Sequence, residues 1–239
     1  YTRNNHGGWQ GDLTGREKRW HPKDQALMNG MFGFQNRNMN VWYRLDFLDE
    51  KIFGPNNGSE LQPEKVSDKD FLTKRYTHQL QSDWKLDNRL DVHAALSYQD
   101  YKRRTRTTES DLSTGEKWLS SAEASQDITQ YKAWIARATV AWNIVPEFSV
   151  QPGVEYQWTQ GEGGRIDGTP KVSDLAFFLS AEYKPWEWLS LRPGVRTFIV
   201  ADYDAPIAIP SVLTKFKLTK HMDLRLSYAY GFRSPTLQE

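Results

Sequence analysis

The sequence predicts an all-β protein, an antiparallel up-and-down meander of about ten strands. Three observations carry this. Long stretches alternate apolar and polar residues with a period of two, the repeat of a strand rather than of a helix. The connections between those stretches are alternately tight and long. Aromatic residues gather near both ends of the stretches.

Residues 1–24 are loop-like, rich in Gly, Asn and charge, and close at His21-Pro22-Lys23-Asp24. The first strand pair spans 25–35 and 39–50 around Asn36-Arg37-Asn38; in its second member Met39, Val41, Tyr43, Leu45 and Phe47 share one face. After a long polar connection, 54–70, the second pair covers 73–86 and 89–106 and turns at Asp87-Asn88. Leu80, Trp84 and Leu86 fall on one face of it, as do Leu90, Val92, Ala94, Leu96 and Tyr98. The third pair, 127–143 and 147–159, follows the polar stretch 109–125 and turns at Ile144-Val145-Pro146. Its apolar faces are Trp134, Ala136, Ala138, Val140 and Trp142, then Phe148, Val150, Val154, Tyr156 and Trp158. A Gly-rich connection, 160–173, leads to the fourth pair, 174–184 and 188–201, turning at Pro185-Trp186-Glu187. The fifth pair, 208–219 and 222–233, turns at Lys220-His221. Its last strand places Leu224, Leu226, Tyr228, Tyr230 and Phe232 on one face and Arg225, Ser227, Ala229, Gly231 and Arg233 on the other. Pro152 and Pro193 fall inside strands, where a missing N–H breaks a ladder bond, so bulges are expected at both.

Short turns on one side and long polar loops on the other are the signature of a transmembrane β-barrel. A soluble sandwich mixes loop lengths as its strands cross between sheets. Trp84, Trp142, Tyr183, Trp186 and Trp188 lie near the short turns, and Tyr98, Tyr156, Trp158, Tyr230 and Phe232 near the other ends. Two such girdles suit two membrane interfaces, where a ring rests half in headgroups and half in hydrocarbon. A mean hydropathy of -0.74 is compatible, since half of each barrel strand faces water.

Composition narrows the function. Lys+Arg 31 against Asp+Glu 30 gives no basic bias, which argues against a nucleic-acid binder. With Cys 0 there is no disulfide scaffold and no thiolate metal site. His6, His21, His78, His93 and His221 have no metal-ligand spacing, so no metal or other cofactor is expected. Gly161-Glu162-Gly163-Gly164 lacks the Lys-Ser/Thr of a phosphate loop, and no catalytic grouping stands out.

Tyr230-Gly231-Phe232-Arg233-Ser234-Pro235 resembles the strand-end box of TonB-dependent outer-membrane receptors, with Ser234 where Ala is commoner. Leu189-Ser190-Leu191-Arg192-Pro193-Gly194-Val195-Arg196 is similar to a segment that follows periplasmic turns in the same receptors. The resemblance implies that residues 1–239 are an internal portion of a 22-stranded barrel in a bacterial outer membrane. The plug and the C-terminal strands would lie outside it. It implies a receptor, not an enzyme, that binds an iron chelate, haem or a similar scarce nutrient and imports it with energy from the TonB complex. Two alternatives stand beside this: a soluble β-sheet carbohydrate-binding module, prompted by the Trp content, and a smaller outer-membrane barrel enzyme or adhesin.

For such a receptor, ligand contacts are expected from inward-facing side chains near the outer strand ends, Tyr101, Arg103, Gln157, Thr159 and Arg233, and from loop aromatics and cations, Trp9, Trp20, Trp118 and Arg165. Lys102, Arg104 and Arg106 keep the lipid-facing parity of Leu96 and Tyr98 beyond the apolar span. They are expected at the outer rim, facing lipopolysaccharide phosphates.

Overall fold

The computed structural model describes residues 1–164, 166, 168–200 and 204–232. They form a single antiparallel 12-stranded sheet. In chain order the strands are β1 (Thr2–His6), β2 (Lys23–Gln35), β3 (Met39–Gly54), β4 (Lys65–Lys85), β5 (Leu90–Asp111), β6 (Lys117–Leu119), β7 (Ile128–Val145), β8 (Phe148–Glu162), β9 (Lys171–Trp186), β10 (Leu189–Val200), β11 (Ile209–Lys217) and β12 (Asp223–Ala229). Each strand pairs with its neighbours in sequence, except that β6 adds only to the end of β5, which otherwise pairs with β7.

The meander read from the sequence is therefore present, with two short strands more. β1 and β6 lie in segments expected to be loops. Their residues are exposed, so cross-strand hydrogen bonding aligns them, helped in β1 by the ion pair of Arg3 with Asp24. β4 and β5 run to 21 and 22 residues, about twice what a tilted strand needs to cross a bilayer. The surplus lies toward the long connections; residues 65–70 and 109–111 within it, rich in Asp, Ser and Lys, fall in segments expected to be loop, whereas the basic run 102–106 was expected as strand. At the other end β7 continues to Val145 and β9 to Trp186, which leaves two-residue turns at Pro146-Glu147 and Glu187-Trp188.

The prolines do not bulge. β7 and β8 keep one register on both sides of Pro152, and Pro193 pairs with Val212 in an unbroken β10–β11 ladder. The register shifts lie instead between Asn143 and Val145 and between Leu189 and Leu191, beside the short turns. A two-residue turn fixes its register tightly, and these kinks fit that register to the rest of the ladder.

Parity holds across the whole sheet. Phe32, Tyr43, Leu80, Leu96, Ala136, Tyr156, Leu175 and Ile199 stand side by side on eight consecutive strands of the main sheet. One residue along, on the opposite face, the row reads Met31, Arg44, Gln79, Ser97, Ile135, Gln157, Asp174 and Val200. The apolar face is the exposed one: Leu80 is 42% accessible and Leu96 39%, whereas Glu155 on the polar face is 5% accessible. A soluble sheet does the reverse. Side chains converge on the inside of a curved wall and splay on its outside, so the polar face is the inner one.

The aromatic girdles follow. Toward the short turns Trp186 and Trp188 stack 5.3 Å apart, and Trp188 stacks on Phe216. Toward the long connections Tyr98 lies 4.4 Å from Trp134, which sits opposite Trp158. Phe232 departs from its expected place. β12 ends at Ala229, the alternation lapses there, and the Phe232 ring lies 5.4 Å from that of Phe198 on the inner face.

Candidate functional site

The inner face toward the long connections is where the expected ligand contacts collect. Leu48, Arg75, Tyr101 and Tyr131 form one inner row, and Glu50, Thr73, Arg103 and Thr129 the next. The Tyr101 and Tyr131 rings are 6.2 Å apart, and the Arg103 guanidinium lies 4.4 Å over the Phe71 ring. Among the described residues neither Arg75 nor Arg103 has a carboxylate partner. Two unneutralised guanidiniums beside a tyrosine pair can meet an anionic ligand with flat faces, through charge-assisted hydrogen bonds and stacking. Tyr101 and Arg103 were expected from parity. Arg75, Tyr131 and Phe71 were not, although the same alternation run back along each strand reaches them.

Thr159 is also inward, between Ala133 and Val172. Gln157 belongs to a different group, midway along the wall. It donates a 2.8 Å hydrogen bond to Glu155, which also accepts from Arg137 Nε at 2.6 Å and from Arg196 at 2.5 Å. Glu155 is on β8 and Arg196 on β10, so their bond passes over β9. The β9 residue opposite Glu155 is the small Ala176, 1% accessible, which leaves room for the bond to cross. Gly153 serves the same end: a Cβ there would lie 2.3 Å from the Phe178 ring, which covers the glycine and approaches both arginines. Glu155 and Arg196 each close a Pro-Gly-Val run, at Pro152-Gly153-Val154 and Pro193-Gly194-Val195. That repeat, which begins four residues into each of β8 and β10 and ends in opposite charges, is the signal that could have located the cluster.

The loop candidates sit apart. Trp9 and Trp20 clasp through reciprocal backbone hydrogen bonds of 2.9 and 3.0 Å, their rings 5.9 Å apart and edge-on. The loop they close is anchored by Arg16, which bonds Asp68 at 2.6 Å, and by Asn57, which bonds the Arg16 N–H and the Thr14 carbonyl. Trp118, on β6 opposite Glu109, is half exposed and has no ring contact with that pair. Where β5 gives way to the next loop, Asp111 accepts from the Ser113 hydroxyl and from the Ser113 and Thr114 N–H groups, which hold its carboxyl below the usual range. Arg165, Arg233, Ser234 and Pro235 lie outside the described residues.

On the outer face Lys102, Arg104 and Arg106 take the expected parity, opposite Lys74, Leu72 and Asp70. Arg106 differs from the other two in bonding Asp70, which Lys51 also approaches at 3.3 Å. Among the described residues no cluster of three or more His, Cys, Asp or Glu could hold a metal ion.

Comparison with known proteins identifies the fold. No family model matches the chain, and no curated protein matches it in sequence. Among solved structures, the ferric yersiniabactin uptake receptor FyuA from Yersinia pestis superposes with a TM-score of 0.55 at 13% identity. The match covers 93% of this chain and 39% of that one. The copper transporter OprC matches with a TM-score of 0.48 at 9% identity, over 89% of this chain and 46% of that one. The ferric citrate transporter FecA matches at 0.46 and 10%, over 84% and 33%. The sheet is a section of an outer-membrane β-barrel wall. The chain spans well under half the length of FyuA.

Proposed function

We propose that this chain is part of the barrel of a TonB-dependent receptor in a bacterial outer membrane, and that the receptor imports an anionic iron chelate of the siderophore or haem class. The observation that carries the reading is the inverted sheet, whose apolar face is exposed and whose polar face is crowded and charged. Only a wall between lipid and a wet lumen stabilises that arrangement. The fold shared with FyuA, an uptake receptor, supports transport over catalysis, and the strand-end box supports the TonB-dependent class.

In this reading Arg75, Arg103, Tyr101 and Tyr131 take the ligand on the lumen side, below a rim that carries Trp9, Trp20 and Trp118. A plug and further strands from the rest of the protein complete the barrel, and the TonB complex acts through that plug. The wall does no covalent chemistry; it supplies affinity and a passage.

The test is growth and binding with the intact protein. Cells lacking it should grow poorly with one ferric siderophore or with haem as the sole iron source. The purified receptor should bind that compound, and Arg75→Ala/Arg103→Ala should weaken binding by about tenfold or more. Unchanged growth on every iron source, with no binding to ferric chelates or haem, would refute the proposal.

A further inference from the structure

On the outer face, beyond the Tyr98–Trp134 girdle, the register sets like charges against each other. Lys74 of β4 stands directly opposite Lys102 of β5, and Arg104 follows one outward position further on. Facing cations repel, and a sheet normally avoids them. The nearby carboxylates do not resolve the conflict. Asp70 is taken by Arg106 and Lys51, Asp100 accepts from Gln130 at 2.8 Å, and Asp49 reaches Lys74 only at 3.9 Å. Lys102 and Arg104 are exposed and have no carboxylate partner among the described residues.

We propose that Lys74, Lys102 and Arg104 together seat the phosphate groups of a phosphorylated glycolipid of the outer leaflet, with Arg106 held back by Asp70. This rests on the outer-membrane reading and gives its rim a specific partner. Height selects a lipid: Lys102 lies four residues beyond Tyr98, about 13 Å along the strand and about 9 Å in height at the usual tilt, at and just above the headgroup layer. Charge selects a phosphate, which offers several acceptor oxygens to three adjacent cations and removes their repulsion. On β5 and the adjoining β7, within the apolar span, Ala94, Ala136 and Ala138 leave a 290 Å³ depression beside Leu80 and Leu96 against which an acyl chain can lie.

The intact protein, purified in non-ionic detergent, would be titrated with bis-phosphorylated lipid A and with the same lipid after dephosphorylation, binding being read by native mass spectrometry. The phosphorylated lipid should bind about tenfold tighter. Lys102→Gln/Arg104→Gln should abolish the preference, whereas Arg37→Gln/Lys220→Gln, which removes the same charge at the short turns, should keep it. Equal binding of the two lipids by the unaltered protein would overturn the proposal even if a variant failed to fold, and so would a preference that survives Lys102→Gln/Arg104→Gln. A protein that needs detergent and migrates faster unboiled, yet shows no phosphate preference, would lose this site alone. One that stays in solution without detergent would lose the outer-membrane reading as well.

Discussion

The two faces of the sheet are made from the same strands, yet they are held in opposite ways. On the outer face Leu80, Leu96, Tyr156 and Ile199 stand exposed in cross-strand rows and owe their place to the surrounding solvent. On the inner face Glu155 is fixed by three donors, from two neighbouring positions and from one two strands away, and is hidden by the side chains that bond it. The outer face therefore tolerates any apolar residue and no charge. The inner face tolerates polarity but demands particular shapes at a few positions. Alternation of side chains is what allows one backbone to satisfy both.

Substitutions can separate these two logics. The largest effect is expected at the middle of the outer face. Leu96→Arg should cost about 2–4 kcal/mol in reversible unfolding from bilayers, while Ser97→Arg, one residue away and inward, should cost far less. Equal costs would remove the distinction between the faces. Next is Glu155→Ala, which leaves Arg137 and Arg196 facing each other without their shared carboxylate. Because both arginines are partly exposed, about 1–3 kcal/mol is expected in the same assay, with the loss confined to β7–β10 in hydrogen exchange. Gly153→Ala should cost about 1–2 kcal/mol by driving the Phe178 ring off the inner face, and Phe178→Ala in the same chain should recover part of it.

The smallest effect lies outside the membrane, at Asp111. Its folded-state carboxyl titrates below its unfolded value, so the order it gives the 112–116 turn is present above the unfolded value of about 3.9 and is lost as pH falls through the lowered one. Slowed exchange at the Ser113 and Thr114 amides should persist below pH 4 and vanish in Asp111→Ala, which removes the acceptor.

How much of this was legible in the sequence depended on whether a residue obeys the alternation. Strand parity is local, so the outward row from Phe32 to Ile199 and the inward placing of Tyr101, Arg103, Gln157 and Thr159 could be read directly. β1 and β6 could not, because Thr2–His6 and Lys117–Leu119 are exposed and depend on partners across the ladder, the backbone of the neighbouring strand and, for Arg3, the Asp24 carboxylate. The outer ends of β4 and β5 look like loop because the polar solvent beyond a membrane removes the alternation while the ladder continues. Phe232 misled for the opposite reason: its spacing continues a strand that has already ended. The Glu155 cluster is completed by a contact from β10 to β8, strands that are not sequence neighbours, and only the repeated Pro-Gly-Val runs hint at it. Arg75 was missed although its parity is clear, since nothing in β4 alone shows that Tyr101 and Tyr131 will lie beside it.

The most direct test of the account uses the absence of native cysteine. Single cysteines at positions 94 through 99 would be spin-labelled in the protein reconstituted in bilayers, and their exposure to oxygen and to a water-soluble nickel chelate compared. The account predicts strict alternation: positions 94, 96 and 98 collide with oxygen from the lipid, and positions 95, 97 and 99 with the nickel chelate in the lumen. Nickel access at all six positions, or the opposite alternation, would contradict it.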